Sequence, residues 1–242
     1  MRYSRQVLLP QFDVEGQDRL LNSRVVVIGA GGLGTPVAMY LAGAGIGELV
    51  IADFDQVDLS NLHRQVIHTT ADIGIAKVES ARQQMLAINP TISVTTLEQA
   101  MDIDALTEAL HGAAVVVDAS DNFATRFAVN AAAFAAGIPL VSGAAIRMEG
   151  QISVYHPGEP DSPCYRCLFS DAAAEEESCS QTGVLGPVVG VIGSMQALEV
   201  IKLISGVGEP LIGRLLLFDG ASGEWQRITL RRDPQCPVCS ER

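Results

Sequence analysis

The chain places an apolar run directly before a glycine-rich turn, in the stretch Arg24-Val-Val-Val-Ile-Gly-Ala-Gly-Gly-Leu-Gly34. Four consecutive β-branched residues predict a buried strand over residues 24–28, and residues 35–44 have helical spacing. Between a strand and a helix, a G-x-G-x-x-G loop lets the backbone approach a phosphate, and the helix N-terminus adds N–H donors. The stretch therefore predicts a nucleotide-binding turn; a tight connection with no ligand is the plainer alternative.

An acidic residue follows at the distance that such a turn requires. Residues 49–52 form a second predicted strand, which runs into Asp53, 19 residues beyond Gly34 (53 − 34). A carboxylate at this position accepts hydrogen bonds from ribose hydroxyl groups. The loop and the acid favour a nucleotide site, but they fit ATP and NAD equally well.

Strand and helix patterns alternate up to about residue 150. Apolar runs predict strands at residues 92–96, 114–118 and 140–142, and helical spacing predicts helices at 77–88 and 124–136. Continuous apolar strands between helices are typical of a parallel sheet that is covered on both faces. Right-handed crossovers then give an α/β fold with a doubly wound, mostly parallel, Rossmann-like sheet.

The pattern changes after residue 150. Residues 151–155 alternate like a half-exposed strand, residues 170–187 are polar and predict a mobile loop, and residues 188–204 predict a long helix. Residues 215–218 and 225–230 predict a closing hairpin. We therefore expect antiparallel strands at the C-terminal end of the sheet.

Composition excludes several classes of protein. The 242 residues are 48% hydrophobic and 18% charged, so the chain can bury a substantial core. A net charge of −12 disfavours binding to nucleic acid or to an anionic membrane, because both need a basic surface. Neither a targeting segment nor an uninterrupted apolar span is visible, and we expect a soluble cytoplasmic protein.

A set of polar residues follows the predicted strand ends. Asp55 comes after Asp53, Asn61 and Arg64 lie in the next loop, Lys77 opens a helix, and Asp121 follows the strand at 114–118. Carboxyl ends of parallel strands converge on one crevice. Two cations and an amide beside a glycine loop suit a triphosphate, and a nearby carboxylate suits Mg²⁺. The alternative is that the cations are solvated surface residues and Asp121 is a helix N-cap.

Four of the five cysteines form two Cys-x-x-Cys pairs, Cys164 with Cys167 and Cys236 with Cys239. Four thiolates in two such pairs complete a tetrahedral structural zinc site; free thiols or disulfides are the alternatives. Cys179 stands alone beside the acidic run 175–177, which makes its thiol less reactive. An exposed, non-essential thiol is the simpler interpretation of Cys179.

In these features the chain resembles the ThiF/MoeB/HesA family of adenylyltransferases, which are related to ubiquitin-activating enzymes. The resemblance runs in family order over essentially the whole chain. It is carried by Arg2-Tyr-Ser-Arg-Gln6, the glycine loop 29–34, Asp53-Phe-Asp55, Ser60-Asn-Leu-His-Arg-Gln65, Lys77, Ser120-Asp-Asn122, both cysteine pairs and Gly186-Pro-Val-Val-Gly190.

The resemblance implies a single adenylation domain over residues 1–242, with a nucleotide-binding part at about 1–150 and a carrier-binding and zinc part at about 151–242. The implied nucleotide-binding residues are Gly32, Asp53, Asp55, Ser60, Asn61, Leu62, His63, Arg64, Lys77, Asp121 and Asn122. The implied catalytic residues are Arg5, Arg64, Lys77, Asp121 and Cys179. Among them, Asn61, Arg64 and Lys77 grip the phosphates, Asp121 serves Mg²⁺, and Arg5 reaches the ATP site of the partner subunit in a homodimer.

The implied reaction is ATP-dependent activation of the C-terminal glycine carboxylate of a small ubiquitin-like sulfur carrier ending in Gly-Gly. The product is an acyl-adenylate that serves molybdopterin or thiamine synthesis. The sequence ends three residues after Cys239 (242 − 239), so we expect a separate sulfur donor of the cysteine desulfurase or rhodanese type.

Two other functions and the choice of carrier stay open. An NAD-dependent oxidoreductase shares the glycine loop and Asp53 but leaves the other polar residues and the cysteines unexplained. A non-catalytic, zinc-stabilised binding module leaves the complete polar set without a role. Arg147-Met-Glu-Gly-Gln151 looks more like the molybdopterin branch of the family, whereas the opening segment and residues 198–206 look at least as much like the thiamine branch.

Overall fold

The computed structural model describes residues 2–170 and 183–240. Its strands are β1 (Arg24–Ile28), β2 (Glu48–Ala52), β3 (Ser93–Leu97), β4 (Val115–Asp118), β5 (Leu140–Ile146), β6 (Glu149–Tyr155), β7 (Arg214–Asp219) and β8 (Glu224–Thr229). Its α-helices are α1 (Ser4–Val7), α2 (Asp13–Leu21), α3 (Gly34–Ala44), α4 (Lys77–Ile88), α5 (Ile103–Ala109), α6 (Phe123–Ala136), α7 (Tyr165–Leu168) and α8 (Gly186–Ser205). Short 3₁₀ turns lie at Leu59–Asn61 and Thr70–Asp72.

All eight strands form one sheet in the order β3-β2-β1-β4-β5-β6-β7-β8. The first five of these strands are parallel, and the last three pair antiparallel. The prediction of a mostly parallel, doubly wound sheet with antiparallel C-terminal strands is confirmed. The strand order reverses between β1 and β4, and a ligand crevice forms at such a point.

Along the parallel strands, alternate side chains pack into two separate hydrophobic cores, one on each face of the sheet. In β1, Val25 and Val27 pack with α2, α3, α4 and α8 on one face, whereas Val26 and Ile28 pack with α5 and α6 on the other. This two-sided burial explains why the strands are continuous apolar runs instead of alternating ones. The helices on both faces hold the strand ends in fixed positions around the crevice.

Several elements differ from the prediction. Helices α1, α2, α5 and α7 were not predicted, and β5 continues to Ile146 because it pairs with β6 in a hairpin. A side chain at Gly143 would meet Gln196 of α8 at 2.5 Å, so this glycine permits close helix–sheet packing in the extended part of β5. Helix α8 begins at Gly186, with Pro187 in its first turn, inside the segment predicted as a loop. Residues 171–182 of that segment lie outside the described residues.

Helix α8 is long and apolar enough to cross a membrane by length and composition alone, and half of its most apolar window is buried inside the protein. It packs against α3 and against β4, β5 and β6, with Gln196 and Glu199 fully buried. Glu199 accepts a hydrogen bond from the backbone N–H of Leu211 at 2.8 Å and pairs with Lys202. These contacts are those of a core helix.

Candidate functional site

A cavity of about 780 Å³ opens at the carboxyl ends of β1, β2 and β4, where the strand order reverses. Its lining brings together most of the nucleotide-binding residues predicted from the sequence. These are Gly32, Asp53, Asp55, Asn61, His63, Arg64, Lys77, Asp121 and Asn122. The cavity is of a size that can hold a nucleotide.

The glycine loop is shaped by close backbone approaches. Gly29 has φ of 101°, and a Cβ there would lie 2.7 Å from the carbonyl oxygen of Ala119, beyond β4. A Cβ on Gly34 would lie 1.8 Å from the carbonyl oxygen of Gly29. Only glycine fits these two positions. The result is a tight turn that aims the N-terminus of α3 into the cavity, where its free N–H groups favour an anion.

Two backbone N–H groups, one of them in the glycine loop, fix the position of the Asp53 carboxylate. Its carboxylate accepts the backbone N–H of Ala30 at 2.7 Å and that of Asp55 at 2.9 Å. Each oxygen keeps one lone-pair direction for a further donor, so the carboxylate can still accept from a ribose hydroxyl.

Lys77 is a buried cation at the start of α4. Its Nζ lies 2.6 Å from the Asp55 carboxylate, and only 7% of its side chain is exposed. The ammonium group has three donors, and the contact with Asp55 uses one of them. Lys77 therefore supplies fixed positive charge to a cavity inside a protein whose net charge is −12.

The turn at Leu59–Asn61 carries the other predicted phosphate ligands. Asp58 caps it by accepting from the backbone N–H and the hydroxyl of Ser60, and these hydrogen bonds lower the pKa of Asp58. The Asn61 side-chain oxygen accepts a hydrogen bond from the backbone N–H of Asp58. Arg64 donates to the Ser60 carbonyl at 3.0 Å. The turn thus places an amide and a guanidinium at the cavity wall.

The turn between β4 and α6 resolves the alternative raised for Asp121. Asn122, not Asp121, is the N-cap of α6: its side chain accepts the backbone N–H of Thr125 at 2.9 Å. Asp121 is exposed at the cavity wall, one residue before the cap. The helix does not require its carboxylate, which can serve a metal or a phosphate group.

Sequence reasoning missed residues in the cavity wall and directly behind it. Asp118 ends β4 fully buried, and burial raises the pKa of its carboxyl group against the opposing effects of Arg126 and Ser120. Arg126 of α6 lines the cavity and is 6% exposed. Asp118 could have been found as an acid that ends a buried strand, whereas the burial of Arg126 depends on packing between distant segments.

His68 links three parts of the nucleotide site. It follows the Asn61 turn, its Nε2 lies 3.1 Å from the Ala30 carbonyl of the glycine loop, and its Nδ1 lies 2.8 Å from the Ser80 hydroxyl on α4. A carbonyl oxygen only accepts, so Nε2 carries the proton. Burial lowers the pKa of His68, which keeps the ring neutral at neutral pH and lets Nδ1 accept from Ser80.

Some predicted residues lie elsewhere. Ser60 and Leu62 are beside the cavity but not in its lining. Arg5 is exposed on α1, which docks at the C-terminal end of α3, where Gln6 donates to the Ala44 carbonyl at 3.1 Å. Since α3 has 11 residues, about 16 Å separates that end from the glycine loop. Cys179 lies outside the described residues.

The four paired cysteines converge. Their Sγ atoms all lie within 4.8 Å of one another, with 3.5 Å between Cys164 and Cys236 and 3.4 Å between Cys167 and Cys239. A tetrahedral zinc–thiolate site has sulfur–sulfur distances of about 3.8 Å. A disulfide is about 2 Å long, so the geometry fits a closed metal site and not a disulfide.

Burial raises the pKa of the Cys164 thiol above its usual range, and burial with nearby thiols raises that of Cys239 to about 12. For Cys236, burial alone would raise the pKa, but hydrogen bonds from the backbone of Val238 and Cys239, together with those to the Cys164 and Cys239 thiols, lower it overall. A buried group of four thiols gains most from a divalent cation that stabilises their thiolate forms.

Comparison with known proteins identifies the family of the chain. Residues 3–238 match the ThiF family. The chain is 50% identical over 239 residues to the sulfur carrier protein ThiS adenylyltransferase of Escherichia coli (strain K12), covering 99% of this chain and 94% of the relative. It is 45% identical over 241 residues to the molybdopterin-synthase adenylyltransferase of Salmonella typhimurium, covering 100% and 96%.

A similar fold occurs in a solved structure that contains a nucleotide. The crystal structure of E. coli MccB with ATP superposes with a TM-score of 0.86 at 28% identity, over 99% of this chain and 73% of that chain. The fold and the crevice thus define a nucleotide-binding α/β enzyme of the adenylyltransferase class. The chain belongs to the ThiF family, which confirms the predicted family and the predicted class of nucleotidyltransferase.

Proposed function

We propose that this protein uses ATP and Mg²⁺ to adenylate the C-terminal glycine carboxylate of a ubiquitin-like sulfur carrier of the ThiS or MoaD type. The observation that carries the proposal is the cavity that places Asn61, Arg64, Lys77 and Asp121 beside the glycine loop and Asp53. Two relatives that match nearly the whole chain are named for activation of a sulfur carrier or of molybdopterin synthase.

The reaction is a displacement at the α-phosphorus of ATP. One carboxylate oxygen of the carrier forms a bond to phosphorus, the bond to the bridging oxygen of the β-phosphate breaks, and pyrophosphate leaves with the electron pair. No general base is needed, because a C-terminal carboxylate is already ionised at neutral pH. The difficulty is electrostatic, since an anion must approach a polyanion.

The residues of the cavity bind the nucleotide and reduce the electrostatic repulsion between ATP and the carboxylate. Asp53 accepts from the ribose, and the glycine loop with the α3 N-terminus donates to the phosphates. Arg64, Asn61 and Lys77 neutralise and align the triphosphate, and Asp121 holds the metal. When bound, Mg²⁺ supplies charge neutralisation at the phosphate oxygens. An NAD-dependent oxidoreductase has no use for this concentration of cations, and a non-catalytic module has no use for the complete set.

The reaction partners, the oligomeric state and the cellular compartment are proposed from the family resemblance. The acyl-adenylate awaits a sulfur nucleophile from a separate donor of the cysteine desulfurase or rhodanese type, in the cytoplasm. The enzyme acts as a homodimer, and its carrier belongs to the molybdopterin or the thiamine branch.

The test of this proposal is isotope exchange between ATP and pyrophosphate. We expect exchange to require both Mg²⁺ and a carrier that ends in Gly-Gly. Carrier variants that lack the terminal glycine serve as the matched control. Reactivity with NAD, and with no combination of ATP and carrier, would replace the proposal by the oxidoreductase alternative.

We further propose that Cys164, Cys167, Cys236 and Cys239 bind one structural zinc ion. A site with four protein ligands has no open position for catalysis. It joins the segment after β6 to the C-terminal segment, where Arg232 also donates to the Pro160 carbonyl at 3.1 Å.

Metal analysis of protein purified without chelator should find about one zinc per chain. Cys236→Ala should lose the metal and lower Tm by on the order of 10 °C, since each kcal/mol corresponds to about 2–4 °C in a chain of this size. Its residual exchange activity at low temperature should fall less than its stability. Cys179→Ala is the control and should keep its zinc. A metal-free wild-type protein of full stability would overturn the zinc proposal.

The same Cys179→Ala variant should retain ATP–pyrophosphate exchange at close to the wild-type rate. The carrier carboxylate forms the acyl-adenylate in a step that has no role for a thiol. Any defect should appear only when sulfur transfer to the carrier is measured. Loss of exchange in the folded variant would assign Cys179 to adenylation.

A further inference from the structure

Arg126 holds the loop that carries Asp121. From the first turn of α6 its guanidinium donates to the Ser120 carbonyl at 3.0 Å, directly before Asp121 in the chain. The side chain is almost completely buried yet contributes to the cavity wall. Its position therefore fixes where the β4–α6 turn presents the Asp121 carboxylate.

The same turn is held from its other side by Asp118. The Asp118 carboxylate accepts the Ser120 backbone N–H at 3.0 Å and the Ser120 hydroxyl at 2.6 Å. Burial raises the pKa of this Asp118 carboxyl group, and the nearby Arg126 opposes that rise. Ser120 thus lies between a buried carboxyl group and a buried guanidinium group, and a displacement of Arg126 would shift the turn.

A second contact of Arg126 reaches the cysteine cluster. Its guanidinium donates to the Tyr165 hydroxyl at 3.4 Å, and Tyr165 stands between Cys164 and Cys167. The backbone N–H of Tyr165 donates to the Asn130 side chain of α6 at 2.8 Å, and its ring stacks on Phe169 at 4.6 Å. The cysteine pair and these contacts set the position of the hydroxyl, independently of the cavity.

We propose that Arg126 is a positioning residue for adenylation, and that Tyr165 couples it to the four-cysteine cluster through the path Tyr165–Arg126–Ser120–Asp121. The inference rests on the proposed function, because it assigns Asp121 to the metal–phosphate complex. The four-cysteine cluster then has a second role besides joining two segments. The Cys164–Cys167 segment, which carries two of the thiolates, also sets the position of Asp121 in the nucleotide site.

The test compares two single-hydroxyl deletions in one aromatic cluster. Tyr165→Phe removes one hydrogen-bond partner of Arg126 and keeps the ring. Tyr155→Phe is the matched control, because it likewise removes one ring hydroxyl from an equally buried tyrosine, which packs edge-on against Tyr165 at 6.0 Å. Both variants should keep their zinc and melt at similar temperatures.

Calorimetric titration with ATP, with and without Mg²⁺, separates positioning from general destabilisation. Tyr165→Phe should weaken binding of Mg²⁺–ATP by threefold to tenfold, about what one lost hydrogen bond gives, while affinity for metal-free ATP changes little. Tyr155→Phe should match the wild type in both titrations. Arg126→Lys keeps a cation beside Asp118 but loses the forked geometry, and it should show a larger loss in the same direction.

The possible results of these titrations distinguish failure of the proposed function from failure of this inference. A wild-type protein that binds no Mg²⁺–ATP would remove the proposed function and this inference with it. If the wild-type protein binds Mg²⁺–ATP and zinc-loaded Tyr165→Phe binds it with unchanged affinity, this inference is overturned and the proposed function stands. Equal weakening with and without Mg²⁺, or equal weakening in Tyr155→Phe, would show a purely structural role and would also overturn it.

Discussion

Replacement of Asp121 by alanine is expected to abolish carrier-dependent ATP–pyrophosphate exchange and to leave the fold intact. The carboxylate stands at the cavity wall, where it can hold Mg²⁺ against the phosphates. Loss of a group that acts on the metal should reduce exchange by several orders of magnitude. The cost in stability should be small, because Asn122 supplies the N-cap of α6 and Asp121 contributes only through the helix dipole, about 0.3–1 kcal/mol.

Two variants complete that experiment. Asp121→Asn preserves size and removes charge, and it should be nearly as inactive as the alanine variant. Asp18→Ala removes an exposed carboxylate of α2, outside the cavity, and should keep full exchange. Near-normal turnover in folded Asp121→Ala would leave this residue with no part in the chemistry.

Replacement of Arg5 by alanine is the second change for which we expect a very large effect. Arg5 lies on α1, which docks at the end of α3 that is far from the glycine loop. The family resemblance places it in the ATP site of the partner subunit, where an arginine finger stabilises charge on departing pyrophosphate and is worth several orders of magnitude in rate. Arg5→Ala alone should therefore be almost inactive. Arg2→Ala, which removes another exposed arginine of the same segment, is the control and should retain activity.

Mixing Arg5→Ala with Asp121→Ala tests the arrangement across subunits. In a C2 dimer completed in trans, one site of each mixed dimer carries both defects and the other carries neither. Random exchange of equal amounts should restore about one quarter of all sites. A mixture that stays inactive after proven subunit exchange would contradict a finger in trans, and so would a protein that is monomeric at assay concentration.

The central part of the fold could be predicted because its signals are local. The apolar run before the glycine loop, and the acid after the second strand, specify β1, the loop and Asp53 without reference to distant residues. Helix α4 was predicted with its observed limits, since Asn89 and Pro90 end the helical pattern. The two cysteine pairs predicted a cluster that the structure forms.

The missed elements depend on partners far away in sequence. Helix α2 buries Gln17, a polar residue that fits the interior only because it donates to the Ala44 carbonyl. In the sequence nothing distinguishes Arg126 from other helix residues. In the fold it lies among Asp118, Ser120 and Tyr165, which are its neighbours only after folding. Helix α5 is short, and although Asp102 caps it by accepting the Ala105 N–H, its seven residues give too little periodicity to predict.

Intact-mass measurement of the carrier after acid quenching tests the central claim most directly. The protein is incubated with ATP, Mg²⁺ and each member of a panel of ThiS-like and MoaD-like carriers that end in Gly-Gly. We predict that at least one carrier gains the mass of one adenylyl group, and that the gain disappears with the Asp121→Ala enzyme or with a carrier that lacks its terminal glycine. A panel in which no carrier gains that mass, under conditions where the enzyme is folded and binds Mg²⁺–ATP, would contradict carrier adenylation as its function.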